Sequence, residues 1–163
     1  MTDAALAQLT PQRAPLFVES VQIPQANALL RVVEMVRART MYGCAFGVPG
    51  FDHPRDRAFY TKAATILGLL DDHHGATLLG WRILHASPRD AHALLRLAFE
   101  RSAVGAAWLE WASARITAAL CASTAEAFLR DCTLLAPSTV ERRAMTLRAW
   151  LEYLQSSSWE GER

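Results

Sequence analysis

Apolar residues recur at helical spacing along most of the chain, with short polar interruptions. Over residues 25–39, Ala26, Leu29, Leu30, Val33 and Val36 fall on one side, while Arg31, Glu34 and Arg37 fall on the other. This pattern predicts an amphipathic helix. Residues 40–46 follow as a short second helix with Met41, Cys44 and Ala45 inward. A turn rich in Gly47, Pro49 and Gly50 leads to a third helix over residues 54–67, started by Asp52, His53 and Pro54. Phe59, Ala63, Ile66 and Leu67 line its inner face, and Gly68 stops it. A polar turn at residues 71–75 then lies between two short strand candidates, 69–70 and 76–79.

The second half continues the helical pattern. Residues 81–84 form a helical piece that ends before Ser87 and Pro88, which cap and open the next helix, to about residue 101. Ala91, Leu94, Leu95, Ala98 and Phe99 point inward there. A helix over 106–120 carries Trp108, Trp111, Ile116 and Leu120. Another over 123–134 has Ser123 and Glu126 at capping-box spacing. The last helix opens at Ser138, with Glu141 three residues on. Its Val140, Ala144, Leu147, Leu151 and Leu154 make a narrow apolar seam, suited to a core or to another helix. The expected organisation is an N-terminal docking arm (1–24), a first helical unit (25–86), a helical C-terminal subdomain (87–155) and a polar tail (156–163).

Composition narrows the class. Of 163 residues, 52% are apolar, enough for a buried core, and alanine, leucine and arginine dominate, so the chain is expected to be mainly α. The net charge of +1 means that any anion-binding face must come from how charge is arranged. Cys44, Cys121 and Cys132 show no paired spacing and are read as reduced, buried thiols of a cytoplasmic protein. No long apolar span is present, so no membrane association is expected. Lys62 is the sole lysine and has no acid two residues before it, which leaves no nuclease-type Glu-x-Lys element. Phosphate loops and nucleophile elbows are also missing from the sequence. No catalytic residue, cofactor or metal is expected.

The strings FYTKAATILGLL (59–70) and TLLGWRIL (77–84) resemble the aromatic-x-x-Ala-Ala-x-x-Leu-Gly-Leu pattern of winged helix-turn-helix modules associated with restriction-type, anti-phage defence proteins. STVERRAMTLRAWLEYL (138–154) resembles the helix that often closes those modules. In the family a leucine-threonine-x-x-glycine wing strand follows. Here Thr77 precedes Leu78 instead, which leaves the register of the wing open. The resemblance implies a helical domain containing a winged helix-turn-helix over residues 25–86, with double-stranded DNA as its partner. A second helix-turn-helix-like unit in the C-terminal half is an open alternative.

On this reading Arg55, Arg57, Thr61, Lys62 and Thr65 form the DNA-facing arc of the third helix. Asp71, Asp72, His73, His74 and Gly75 form the wing. The acids of that turn work against close approach to phosphates. Asp52, His53 and the Asp71–His74 run offer ligand chemistry, but neighbouring turn residues point different ways and helical ligand spacing is missing. Arg142 and Arg143 stand in the first turns of the last helix, where the dipole disfavours cations, a mild argument for an anionic partner. The expected role is a non-catalytic DNA-binding regulator or accessory subunit of a defence or mobile-element system. The alternative is a protein–protein adaptor or dimerisation module, with a homodimer or a larger defence enzyme as partner.

Overall fold

A computed structural model describes residues 16–156. The protein is mainly helical, and among the described residues no strand forms. The arm expected over 1–24 is therefore described only from Leu16 onward, and of the expected tail only Ser156 is described. The described part of the arm docks on the core. Val18 and Ile23 are buried, and the Val18 amide donates to the Cys132 carbonyl over 2.8 Å.

Helix α1 spans Leu29–Tyr42 and ends because Gly43 adopts a left-handed φ of 69°, its amide closing onto the Arg39 carbonyl. The short second helix expected over 40–46 does not form. Thr40 to Tyr42 finish α1, and the chain beyond Gly43 turns. Leu30, expected inward, is exposed, while Val32 and Met35 are fully buried. Helix α1 packs against two neighbours, so it buries a wider arc than a single stripe.

Helix α2 (Pro54–Ile66) has Pro54 in its first turn, and the His53 ring accepts from the Arg55 amide at the cap. Beyond it the chain makes one antiparallel bridge, between Leu70 and Ala76. The strand expected over 76–79 is corrected by the structure, since Leu78 and Leu79 open helix α3 (Leu78–His85). Thr77 is the cause. Its Oγ1 accepts from the Gly80 amide at 3.1 Å and donates to the Gly68 carbonyl at 2.6 Å, so it caps α3 and ties it to the end of α2. A Cβ at Gly80 would lie 2.2 Å from the Leu69 carbonyl oxygen, so only glycine allows this close crossing.

Helices α4 (Pro88–Arg101) and α5 (Ala103–Trp111) share Ser102 as end and start. The helix expected over 106–120 breaks at Ser113, whose φ is +53°, and Ile116 is exposed. Helix α6 (Ala125–Cys132) and the long α7 (Pro137–Gln155) complete the chain. Neither expected capping box forms. Ser123 pairs with Cys121 Sγ, and Pro137 takes the first turn of α7, which puts Ala136 at its cap. The seam Val140, Ala144, Leu147, Leu151 and Leu154 is wholly buried and belongs to the core. Around it Phe99 meets Trp108 and Trp150 edge-on, and Trp108 stacks on Phe128 at 5.7 Å. The Trp150 indole donates to the Ala26 carbonyl over 2.7 Å, which fastens α7 to the segment before α1. Among the described residues no helix is long and apolar enough to cross a membrane.

Candidate nucleic-acid interface

The C-terminal end of α1, the turn after it, the outer face of α2 and the 71–75 turn enclose a groove of about 490 Å³. Arg39, Arg57, Lys62, His74 and the ring of Phe46 line it, and no carboxylate does. None of the three cations has an ion pair among the described residues, where the acid–base pairs are Glu126 with Arg130 and Arg148. Like charges gathered without a counter-charge repel, and an anion in the groove relieves that repulsion.

The residues expected on the DNA-facing arc separate into distinct roles. Lys62 is exposed and lines the groove. Arg55 is exposed, its guanidinium 5.1 Å from the centre of the Phe59 ring. Arg57 is half-buried and donates to the Phe51 and Asp52 carbonyls over 2.7 and 2.8 Å. It also lies 5.5 Å from the Phe46 ring centre, so it clamps the turn while keeping its charge at the groove. Thr61 and Thr65 engage their hydroxyls within the protein, although Thr61 also lines the groove. Thr61 is buried, and its hydroxyl accepts from Arg39 Nη2 at 3.2 Å. Thr65 is half-buried and donates back to the Thr61 carbonyl over 3.1 Å, a bond within its own helix.

The 71–75 turn is held from inside. Asp71 Oδ1 accepts from the amides of His73 and Gly75 at 2.8 and 2.9 Å, and the Asp71 amide donates to the Gly75 carbonyl. This carboxylate therefore closes the turn. His74 takes a positive φ of 64° and lines the groove, so its imidazole stands on the same wall as Lys62 and Arg57 of α2. Asp72 and His73 are exposed. Among the described residues no three His, Cys, Asp or Glu side chains gather as a metal site.

Arg142 is exposed at the start of α7, while Arg143 is half-buried and donates to the Ile23 carbonyl. Burial, and then the charge of Arg142, push the Arg143 pKa below the usual arginine value. Arg143 and Lys62 line a second, smaller cleft of about 180 Å³, so Arg143, but not Arg142, comes beside the α2 face.

Two groove residues went unread in the sequence, Arg39 and Phe46. Arg39 lies seven residues after Val32 and three after Val36, on the buried stripe of α1, with no acid four residues either side. An unpaired cation on an inward stripe was the available signal. Phe46 gave none, because its exposure depends on the turn. The thiols also differ from expectation. All three are free, and Cys132 is buried, but Cys44 and Cys121 are exposed.

Comparison with protein-family models, with curated proteins and with solved structures finds no match for this chain.

Proposed function

We propose that this protein is a non-catalytic double-stranded DNA-binding protein that contacts phosphates through the outer face of α2 and the groove beside it. The observation that carries the reading is the acid-free groove, where Arg39, Arg57, Lys62 and His74 converge from α1, α2 and the turn. We read α1, α2 and the 71–75 turn as a helix-turn-helix whose wing is reduced to one bridge, with Thr77 closing it onto α3. On that reading the offset threonine of the wing motif is a helix cap. Lys62 and Arg55 are the exposed cations of the reading helix, and the exposed Arg142 of α7 is assigned to the same phosphate track. The resemblance to restriction-associated modules makes a regulator or accessory subunit of a defence or mobile-element system the fitting role. The adaptor alternative draws on a different feature, the exposed apolar patch of Phe17, Val21 and Leu134.

Fluorescence anisotropy with a labelled duplex across a salt series tests the proposal. Each phosphate neutralised contributes about 0.9 to the log–log slope, so a handful of contacts gives a slope of about −3 to −6. Lys62→Ala is the clean variant, because the side chain is exposed and holds nothing. It is expected to weaken binding and to reduce the slope by about 1, with the melting temperature unchanged. Absence of binding at low salt rejects the DNA reading and favours the adaptor.

A further inference from the structure

We propose that the groove seats an unpaired nucleotide, with its base stacked on Phe46 and its phosphate held by Arg39 and Lys62. This inference rests on the DNA reading above and specifies the form of DNA preferred.

The turn between α1 and α2 is built to present Phe46. The Val48 amide donates to the Ala45 carbonyl over 3.3 Å, and Ala45 is buried, which anchors the turn from within. Phe46 between them is 78% exposed, an unusual position for a large apolar ring. One side of the ring faces the Arg57 guanidinium at 5.5 Å, and two backbone carbonyls hold that guanidinium in place. The ring is thus backed by a fixed cation and leaves most of its surface to a ligand.

The phosphate seat comes from Arg39. Its Nη2 donates to Thr61, while its Nε is buried and has no acceptor among the described residues. Arg148 Nε is likewise buried without an acceptor, and Arg39 differs in that its side chain lines an acid-free groove. Arg39 of α1 and Lys62 of α2 are the cations an entering phosphate meets there, and a guanidinium matches the geometry of an oxyanion. The volume of about 490 Å³ lies within the roughly 300–1,000 Å³ of small-ligand clefts.

An aromatic ring beside a phosphate seat is the arrangement that binds single-stranded nucleic acid. In a continuous duplex both faces of each base are covered by neighbours, so Phe46 finds a partner only at an end, a gap or an extruded base.

The test measures the full-length protein against three labelled probes: a blunt duplex, the same duplex with a one-nucleotide gap, and a single strand. The wild-type protein is expected to bind the gapped probe more tightly than the blunt one. Phe46→Ala is expected to lower the gapped-to-blunt affinity ratio about tenfold. Phe46→Trp, which keeps a stacking face, retains the ratio. Equal affinity for gapped and blunt probes, with no change in the ratio for Phe46→Ala, overturns the inference while the duplex reading stands. Binding to no probe overturns both. A change in light-scattering mass on Phe46→Ala, with the probe ratio unmoved, overturns the inference and assigns the ring to a protein contact.

Discussion

Replacing Gly80 with alanine should separate α3 from the α2–turn unit. The new Cβ would lie 2.2 Å from the Leu69 carbonyl oxygen and 3.2 Å from its carbonyl carbon. Ordinary contact begins at 3.4 Å, so the two backbones must part by about 1.2 Å. Leu69 cannot yield freely. Its amide donates to the Ala64 carbonyl over 2.9 Å, and its own carbonyl accepts from the Thr77 amide at 3.1 Å. Overpacking of this kind costs about 1–3 kcal/mol, and a stretched hydrogen bond adds about 1 kcal/mol. Alanine's helix preference returns about 1 kcal/mol. The net loss is near 2 kcal/mol, which for a chain of this length lowers the melting temperature by about 4–8 °C. Thermal melts by circular dichroism read it directly. Leu78→Ala in the same helix is the control, because Leu78 is 76% exposed and its truncation should leave the melt nearly unchanged. A Gly80→Ala protein that melts at or above the wild-type temperature would refute the argument that backbone contact at Leu69 positions α3.

Two further outcomes follow from burial. Leu147→Ala should cost about 2–5 kcal/mol in denaturant unfolding with unchanged light-scattering mass, since Leu147 is fully buried in the core. A dimer lost without loss of stability would instead make the seam an interface. Among the thiols, hydrogen bonds from Ser123 lower the Cys121 pKa, while burial and then the charge of Asp131 raise that of Cys132. The thiolate is the reactive form, so at neutral pH a disulfide reagent should modify Cys121 well before Cys132. Ser123→Ala should slow Cys121, and equal rates at both sites in the native protein would contradict the assigned environments.

Helices with one buried face were legible in the sequence, and helices with two neighbours were less so. The α7 seam repeats at 4–3 spacing and is buried at each position named. On α1, the stripe through Leu30 misses Val32 and Met35, because α2 and α3 both press on that helix. A single-stripe reading has no term for a second neighbour. Capping boxes failed for a related reason. The spacing of Ser123 and Glu126 says nothing of competing partners, and Glu126 instead meets Arg130 and Arg148. Pro137 shows the same limit, since its fixed φ suits the first turn and so moves the start of α7 ahead of Ser138.

The groove was legible only in part, because a site made by convergence depends on where backbones cross. Lys62 was readable as an outward cation of α2. Arg57 reads as a further cation off the buried stripe, but the turn before α2 folds its carbonyls back onto that guanidinium and converts a surface charge into a clamp. This coupling has a consequence for any experiment on the site. Removing Arg57 withdraws a charge from the groove and also releases two carbonyls and the backing of Phe46. Loss of DNA binding in Arg57→Ala would therefore not distinguish a phosphate contact from a collapsed turn. Lys62, which holds nothing, makes that distinction, and Arg39 supplies the complementary case. It is half-buried at the groove and its Nη2 donates to Thr61 of α2, so Arg39→Ala removes a groove cation together with a bond between α1 and α2.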